Sequence, residues 1–389
     1  MSFTSPSQTG TTTGFLSFNS HPPRIYLTAP SDHTPERALL EWRDEGYEAS
    51  YLPYNPDAQA SYIHTIKTLH ENLKLGENYA IVCYGDAASV VLKTALKPLA
   101  HCCAIVAYYP PILPSPKAKF SSQTRIQIHV AGLSQVSPPS ELCEFQVYRY
   151  ESCAMGLADP SADTYSEVEA NLAGSRTLGC LRKAFKLDVD LEPIVNAAHK
   201  AKYQDEVPER ASMAVVKSMT QNSPHVTIVP TLEGGIGRRS LEEFYREYFV
   251  PSLVEDFSMR LISRTIGVDR VVDEMVISFT HSDEVDWILP GVPATNKKVE
   301  IAIVSIITVR GGKLVSEHMY WDNASVLYQV GLLERSLIPK AFKDKGLKHL
   351  PVVGAAAAHT LIKPKQGEYN GLLREAGLLP DSSTQTNGH

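Results

Sequence analysis

Two different folds in tandem, an α/β half followed by an α+β half, are predicted by a change of rhythm along the chain. The first half carries short runs rich in β-branched and aromatic residues, spaced by segments long enough to hold a helix. The second half carries three long alternating runs, the last two joined by a tight Arg310-Gly-Gly312 turn. At 389 residues the chain exceeds one typical core, so two domains are expected.

The first twenty residues are Ser/Thr/Gly-rich, without a basic start or an apolar core, and read as a flexible tail rather than a signal peptide. From residue 21 to 186 the expected strands are 24–29, 48–53, 79–84, 103–108, 125–130 and 145–149. Strands that alternate with helices argue for a largely parallel sheet. Ala80-Ile-Val-Cys-Tyr-Gly85-Asp-Ala-Ala88 reads as a strand-to-helix corner of the kind that aims a nucleophile outward from the top of a sheet. Gly85 stands where the nucleophile belongs. Cys83, two residues earlier, lacks the corner geometry and reads as a buried core thiol.

Over residues 23 to 185 these runs and that corner resemble the dienelactone hydrolase family of α/β-hydrolases. The resemblance implies an acid after the strand ending at Val130 and a His-Gly-Phe base motif. The chain has Gly132-Leu133-Ser134-Gln135 at the first place and Met155-Gly156-Leu157 at the second. Nucleophile, acid and base all look substituted, which leaves no acyl-transfer route. This half is expected to be a non-catalytic scaffold or binding module.

From 187 to 338 the reading changes. Residues 187–221 are expected to form helices leading into the second domain. In Thr231-Leu-Glu-Gly-Gly-Ile-Gly-Arg-Arg239 the glycines neither follow a clear strand nor end in Gly-Lys-Ser/Thr, so a phosphate loop is disfavoured. Ser240 and Glu243 read instead as a capping box. Leu241, Phe244, Tyr245, Tyr248 and Phe249 then recur at the spacing of one buried helical face. Long strands follow over 270–280, 298–309 and 313–322.

Thr280-His281, Leu289-Pro-Gly-Val-Pro-Ala-Thr295, Gly312-Lys-Leu-Val-Ser-Glu317 and Asp322 with Gln329-Val-Gly-Leu-Leu333 stand in the order found in SnoaL-like polyketide cyclases. Residues 225 to 333 resemble that group, which implies a cone-shaped α+β barrel of the nuclear-transport-factor-like type. It also implies a homodimer paired through its open sheet and, at Asp322, a general acid/base that moves a proton next to a carbonyl. The fold hosts isomerases, dehydratases, epoxide hydrolases and non-enzymes as well, so it does not fix the reaction.

Strand alternation places His318, Tyr320 and Asp322 on one face and Glu317, Met319 and Trp321 on the other. With the first set inward, one wall would carry an imidazole, a phenol and a carboxylate, a set able to shuttle protons and bond an enolate oxygen. The alternative is that His318 and Tyr320 meet a second subunit or satisfy backbone groups. His281, at a strand end, is a further candidate proton relay. Trp287 and Leu289 are expected to form the apolar wall or lid. Asp273 and Glu274 lie on opposite faces, so at most one points inward. Glu274 could pair with Arg264, and a carboxylate–Arg–carboxylate arrangement would favour attack by activated water on an epoxide or lactone.

Composition narrows the partners. A formal charge of −6 without a Lys/Arg tract gives no reason to expect nucleic acid. No apolar run is long enough to cross a bilayer. The six cysteines, at 83, 102, 103, 143, 153 and 180, have no metal-type spacing, which suits free thiols in a cytoplasmic protein. No His pair stands at ligand spacing near a carboxylate, and no Gly-x-Gly-x-x-Gly follows a strand, so neither metal, nicotinamide nor flavin is expected. Residues 339–389 form an extension whose Ala run should pack against a neighbouring domain and whose end should be disordered. The favoured reading is cofactor-independent cyclisation, isomerisation or elimination next to a carbonyl on a small apolar oxygenated metabolite. Water addition to an epoxide or lactone, and ligand binding without catalysis, are the alternatives.

Overall fold

The structure is a computed structural model that describes residues 21–30, 36–133, 145–366 and 369–379. The terminal tails, Ser134, Gln135 and Cys143 lie outside the described residues. The chain divides into two units, Met1–Asp190 and Leu191–His389.

In the first unit six strands, β1 (Arg24–Thr28), β2 (Glu48–Tyr51), β3 (Tyr79–Tyr84), β4 (Cys102–Tyr108), β5 (Arg125–Ala131) and β6 (Gln146–Tyr150), form one sheet in the order β2-β1-β3-β4-β5-β6. Every pair in it is parallel. Helices α1 (Glu36–Asp44), α2 (Gln59–Thr68) and α3 (Gly85–Thr94) fill the first three connections, as parallel pairing requires, and α4 (Glu167–Phe185) follows the last strand. The central strands β3 and β4 are buried on both faces, which explains their unbroken apolar sequence. Gly85 opens α3 with φ +55, a backbone that disfavours any residue with a Cβ. A Cβ there would sit 3.5 Å from Pro30, an ordinary contact, so conformation rather than space selects glycine. Cys83 is fully buried, its thiol donating to the Val106 carbonyl at 3.4 Å, and burial pushes the thiol pKa far up.

An aromatic ladder crosses the sheet, because Tyr84, Tyr108, His129 and Tyr148 are register neighbours on four successive strands. Their rings stack at centroid distances of 4.8, 4.4 and 5.7 Å. The Arg176 guanidinium caps the ladder 4.1 Å from the Tyr148 ring. His129 is fully buried and fully engaged. Its Nε2 lies 2.9 Å from the Gln127 amide nitrogen and 3.1 Å from the Thr177 hydroxyl, and its Nδ1 lies 2.7 Å from the Tyr150 hydroxyl. Burial first, and the Arg176 charge second, lower its pKa to about 3, so it folds as the neutral ring.

The second unit begins with α5 (Glu192–Tyr203) and α6 (Pro208–Ser218). A hairpin, β7 (His225–Ile228) and β8 (Glu233–Ile236), precedes α7 (Arg238–Phe244) and a π-helical turn, Tyr245–Phe249. Then come β9 (Ser258–Ile266), β10 (Arg270–Thr280), β11 (Lys298–Arg310), β12 (Lys313–Trp321) and the helices α8 (Asn323–Val330), α9 (Lys340–Lys343), α10 (Ala356–Ile362) and α11 (Gly371–Glu375). The sheet order is β8-β7-β12-β11-β10-β9, antiparallel except between β7 and β12. Residues of α5, α6, α7 and the π turn share one core with the inner face of this sheet.

Four local expectations are corrected. Glu233–Ile236 is a strand rather than a loop, and Gly234 (φ +121) is required there because a Cβ would lie 2.2 Å from the Val226 carbonyl oxygen. α7 starts at Arg238 after Gly237, so Ser240 lies inside the helix and no side chain caps it. The π turn departs from α-helical spacing: Leu241, Phe244, Tyr245 and Phe249 are buried while Tyr248 is exposed. The Ala run packs within its own unit, where α10 lies against β10 and β11 with Ala358 fully buried. His359 reaches Glu300 on β11, and the Gly354 N–H donates to Ser325 Oγ at 3.1 Å.

Protonating His129 opposes folding. The unfolded ring titrates near 6.5 and the folded one near 3, so the unfolded state binds the extra proton between them. The associated stability is complete above pH 6.5 and declines as the pH falls toward 3. In His129→Phe, denaturant unfolding measured across this range should show a shallower dependence of stability on pH than the wild type, whatever the absolute stability of the variant.

Candidate functional site

The inner face of the second unit is apolar except for a cluster of ionisable groups. From α5, an amphipathic helix, come His199, Lys202 and Tyr203, placed on one face by their spacing. The strands opposite contribute Asp273, Ser305 and Glu317. Lys202 and Glu317 are 2 % and 1 % exposed and form a hydrogen-bonded ion pair. Ser305 donates to the second Glu317 oxygen at 3.0 Å. Burial works against ionising Glu317, yet the Lys202 ammonium, aided by the Ser305 hydroxyl, holds its carboxyl below the usual carboxylate range. The rings of Tyr203, Tyr245 and Phe249 surround the ammonium, with centroids 5.4, 5.7 and 5.8 Å from Nζ.

Asp273 is fully buried and takes both arms of Arg264, Nε to Oδ1 and Nη2 to Oδ2, each at 2.7 Å. That bidentate fork, the strong form of this pair, raises the Arg264 pKa. The free arm of Arg264 reaches Glu192 at 3.0 Å and Asn196 at 2.6 Å. His199 Nε2 lies 3.8 Å from Asp273 Oδ2, is itself buried, and has no hydrogen-bond partner among the described residues. Burial and the Lys202 charge lower the His199 pKa to about 4, so a neutral imidazole faces the interior beside a carboxylate.

The expected inward wall of His318, Tyr320 and Asp322 is on the wrong side. Opposite Thr308 and Val309 the register slips, pairing Thr308 with Ser316 but Val309 with Leu314. Val315 is therefore a bulged residue, and a bulge exchanges the faces of the strand beyond it. Leu314 points inward before it; Glu317 and Met319 point inward after it, with Trp321 packed against the same core. Tyr320 is 41 % exposed on the outer face. The His318 ring lies 5.4 Å from that of His225 on β7, tilted at 39°, and burial, then the His225 charge, lowers its pKa. Asp322 is the N-cap of α8, accepting from the Ala324 N–H at 3.0 Å and the Ser325 hydroxyl at 2.6 Å.

The remaining candidates are placed as follows. His281 is fully buried; its Nδ1 accepts from the Thr295 N–H at 3.3 Å and lies 3.0 Å from the Thr295 hydroxyl, so Nε2 carries the proton and has no acceptor among the described residues. Burial lowers its pKa. Trp287 and Leu289 belong to the core, Trp287 packing on Phe249 at 4.8 Å with its Nε1–H also unpartnered. Glu274 faces outward and accepts from Ser263 at 2.9 Å rather than pairing with Arg264. The register decides this, since Asp273 is the residue directly opposite Arg264. Among the described residues no group of three or more His, Cys, Asp or Glu could hold a metal, and no helix is long and apolar enough to cross a membrane.

Sequence reasoning missed His199, Lys202 and Glu317. The signal available was a lysine and a histidine on the apolar face of the 192–203 helix, where Val195 and Ala198 also lie.

No family model matches the chain, and no curated protein does. Solved structures do resemble part of it. Among them are one described as a proposed SnoaL-like polyketide cyclase from a Jannaschia species (14 % identity, 37 % of this chain and 93 % of that one, TM-score 0.30) and TsrD from Streptomyces laurentii (16 % identity, 38 % and 100 %, TM-score 0.30). A third, from Catenulispora acidiphila, is a hypothetical protein with a ketosteroid isomerase-like fold, solved with trimethylamine (18 % identity, 38 % and 97 %, TM-score 0.27). None of these likenesses carries a function to this chain.

Removing one member of the buried ion pair leaves the other charge uncompensated, at a cost of about 3–5 kcal/mol. Lys202→Met and Glu317→Leu should each destabilise by this order, and the double variant should lose far less than their sum. Denaturant unfolding of the four proteins checks the cycle.

Proposed function

We propose that the second unit is a cofactor-independent acid/base enzyme acting on a small oxygenated metabolite, by cyclisation, isomerisation or elimination next to a carbonyl. The observation that carries this is the neutral, half-buried His199, whose buried Nε2 is unengaged beside Asp273. A neutral imidazole can take a proton from carbon, and the carboxylate 3.8 Å away stabilises the imidazolium that results. Arg264 orients Asp273 and is itself held by Glu192 and Asn196. His199 thus replaces Asp322, whose two oxygens serve the α8 cap, as the proton shuttle.

The first unit is read as a hydrolase-like scaffold without catalysis. Gly85 offers no nucleophile, the Cys83 thiol is buried and held protonated, and all ring nitrogens of His129 are engaged. A second enzymatic reading, water addition to an epoxide or lactone, is favoured by one feature: Arg264 bridges the carboxylates of Asp273 and Glu192.

The test is mass spectrometry of a metabolite extract from the source organism after incubation with wild type, His199→Gln and Asp322→Asn. A compound should be consumed by wild type and Asp322→Asn but spared by His199→Gln. An unchanged mass marks isomerisation or isomeric cyclisation, loss of water elimination, and gain of water hydrolysis. Consumption by His199→Gln but not by Asp322→Asn would return the shuttle to Asp322; no consumption by any protein would favour a binding role. With the compound in hand, the acid limb of kcat/KM should fall near pH 4, where the His199 ring takes up its proton, rather than near 6.5.

A further inference from the structure

The first unit carries a cavity of about 610 Å³, a volume in the range of small-ligand sites. Its walls come from the loop 120–124, the first residues of β5 and β6, and the C-terminal turn of α4. All strands of a parallel sheet start at one edge, so the cavity sits at the N-terminal edge, whereas Gly85 follows the end of β3 at the opposite one. It is a separate place from the hydrolase-like corner.

Charge in this cavity is one-sided. Arg125 of β5 and Lys183 and Lys186 at the end of α4 line it, and no carboxylate does among the described residues. Basic side chains elsewhere in this unit are paired, as in Arg24–Glu48, Arg149–Glu151 and Arg182–Glu45. Arg125, Lys183 and Lys186 are exposed, and none of them forms an ion pair among the described residues. A chain of formal charge −6 thus concentrates three unneutralised cations at one spot.

Local structure holds them there. The helix stops at Lys186, whose backbone is left-handed at φ +56, and the N–H groups of Lys186 and Leu187 both return to the Arg182 carbonyl. Spacing by three keeps Lys183 and Lys186 on one side of that last turn. The loop that leads into Arg125 is pinned as well: the Thr124 hydroxyl donates to the Cys102 carbonyl at 2.8 Å and the Thr124 N–H to the Ser121 carbonyl at 3.0 Å. Cys180 registers the convergence, since burial pushes its thiol up to about 11 while the charges of Arg125 and Lys183 both work against that rise. Beside the cations, the rings of Phe120 and Phe145 meet edge to face at 5.8 Å and give the cavity an apolar wall.

We propose that this cavity binds a small phosphomonoester that carries a flat ring. Arg125, Lys183 and Lys186 hold the phosphate, and the ring lies against Phe120. A dianion with three acceptor oxygens suits one guanidinium fork and two ammonium groups better than a single carboxylate does. The negative end of α4 opposes an anion with only about half a charge, which three full cations outweigh. The net negative charge of the chain disfavours a long polyanion and leaves a small molecule as the occupant. The inference is independent of the acid/base reading of the second unit, and either can fail alone.

The test is isothermal titration of 1-naphthyl phosphate into the full chain, beside 1-naphthol as the ring without the charge and inorganic phosphate as the charge without the ring. Binding should saturate at one site, with both comparison compounds at least about tenfold weaker. Arg125→Gln and the double variant Lys183→Gln/Lys186→Gln should each lose about tenfold or more. Their side chains are exposed, so both should fold, as a circular-dichroism melt checks. Lys67→Gln/Lys93→Gln, which removes two exposed charges outside the cavity, should bind like wild type. The proposal is overturned if wild type shows no saturable binding, if either cavity variant binds equally well, if the outside variant loses as much, or if 1-naphthol or inorganic phosphate binds as tightly.

Discussion

The second unit is organised around a charge that has no route to water. Lys202 on α5 and Glu317 on β12 meet in the middle of an apolar core, and each is tolerable there only because of the other. Their pairing dictates how α5 lies on the sheet, because the ammonium must reach the carboxylate while Val195 and Ala198 remain in the same apolar layer. It also explains the aromatic company. Rings with electron-rich faces are the one apolar lining that attracts a cation instead of merely tolerating it. The neutral state of His199 follows as well, since the Lys202 ammonium adds to burial in opposing a second positive charge beside it.

Buried polarity is handled differently around His129 and around Lys202. In the first, His129 is engaged at both ring nitrogens by side chains from its own strand, from β6 and from α4, and the stack of rings on either side holds it in place. Such a satisfied network rigidifies a sheet and leaves nothing for a ligand. In the second, the pair Lys202–Glu317 and the fork Arg264–Asp273 are satisfied, but several donors and one imidazole nitrogen around them are not.

Much of the architecture was legible in the residues. The six short strands of the first half fall within one or two residues of their expected places, because each is a β-branched or aromatic run bounded by turn formers, and their parallel pairing fits the helices that join the first four. The long strands over 270–280, 298–310 and 313–321 announce themselves by long runs of alternation. The site was far less legible. Period alone cannot say which face of a strand is inward, and a single bulged residue reversed the answer for β12. The choice of Glu274 over Asp273 as the Arg264 partner failed for a related reason, as cross-strand register depends on a second irregularity, between Glu274 and Met275. His199 and Lys202 were hidden by being on a helix that looked like a connector, where a lysine is normally assumed to face water.

The bulge at Val315 has a bearing on how such a protein could change its trade. Upstream of it the inner face of β12 takes even-numbered residues, and downstream it takes odd ones. The strand therefore carries two alternative side-chain alphabets, Glu317 with Met319 and His318 with Tyr320, and whether the extra residue is taken up as a bulge or as a register slip selects between them. Loss of that residue in a descendant would only restore regular pairing with Leu314 and Glu317 still inward. Keeping it and sliding the downstream strand by one residue to close the bulge would instead exchange a buried acid for an imidazole and a phenol. A lineage built on this strand has a second chemistry stored on its outer surface, under no requirement to function until the register shifts.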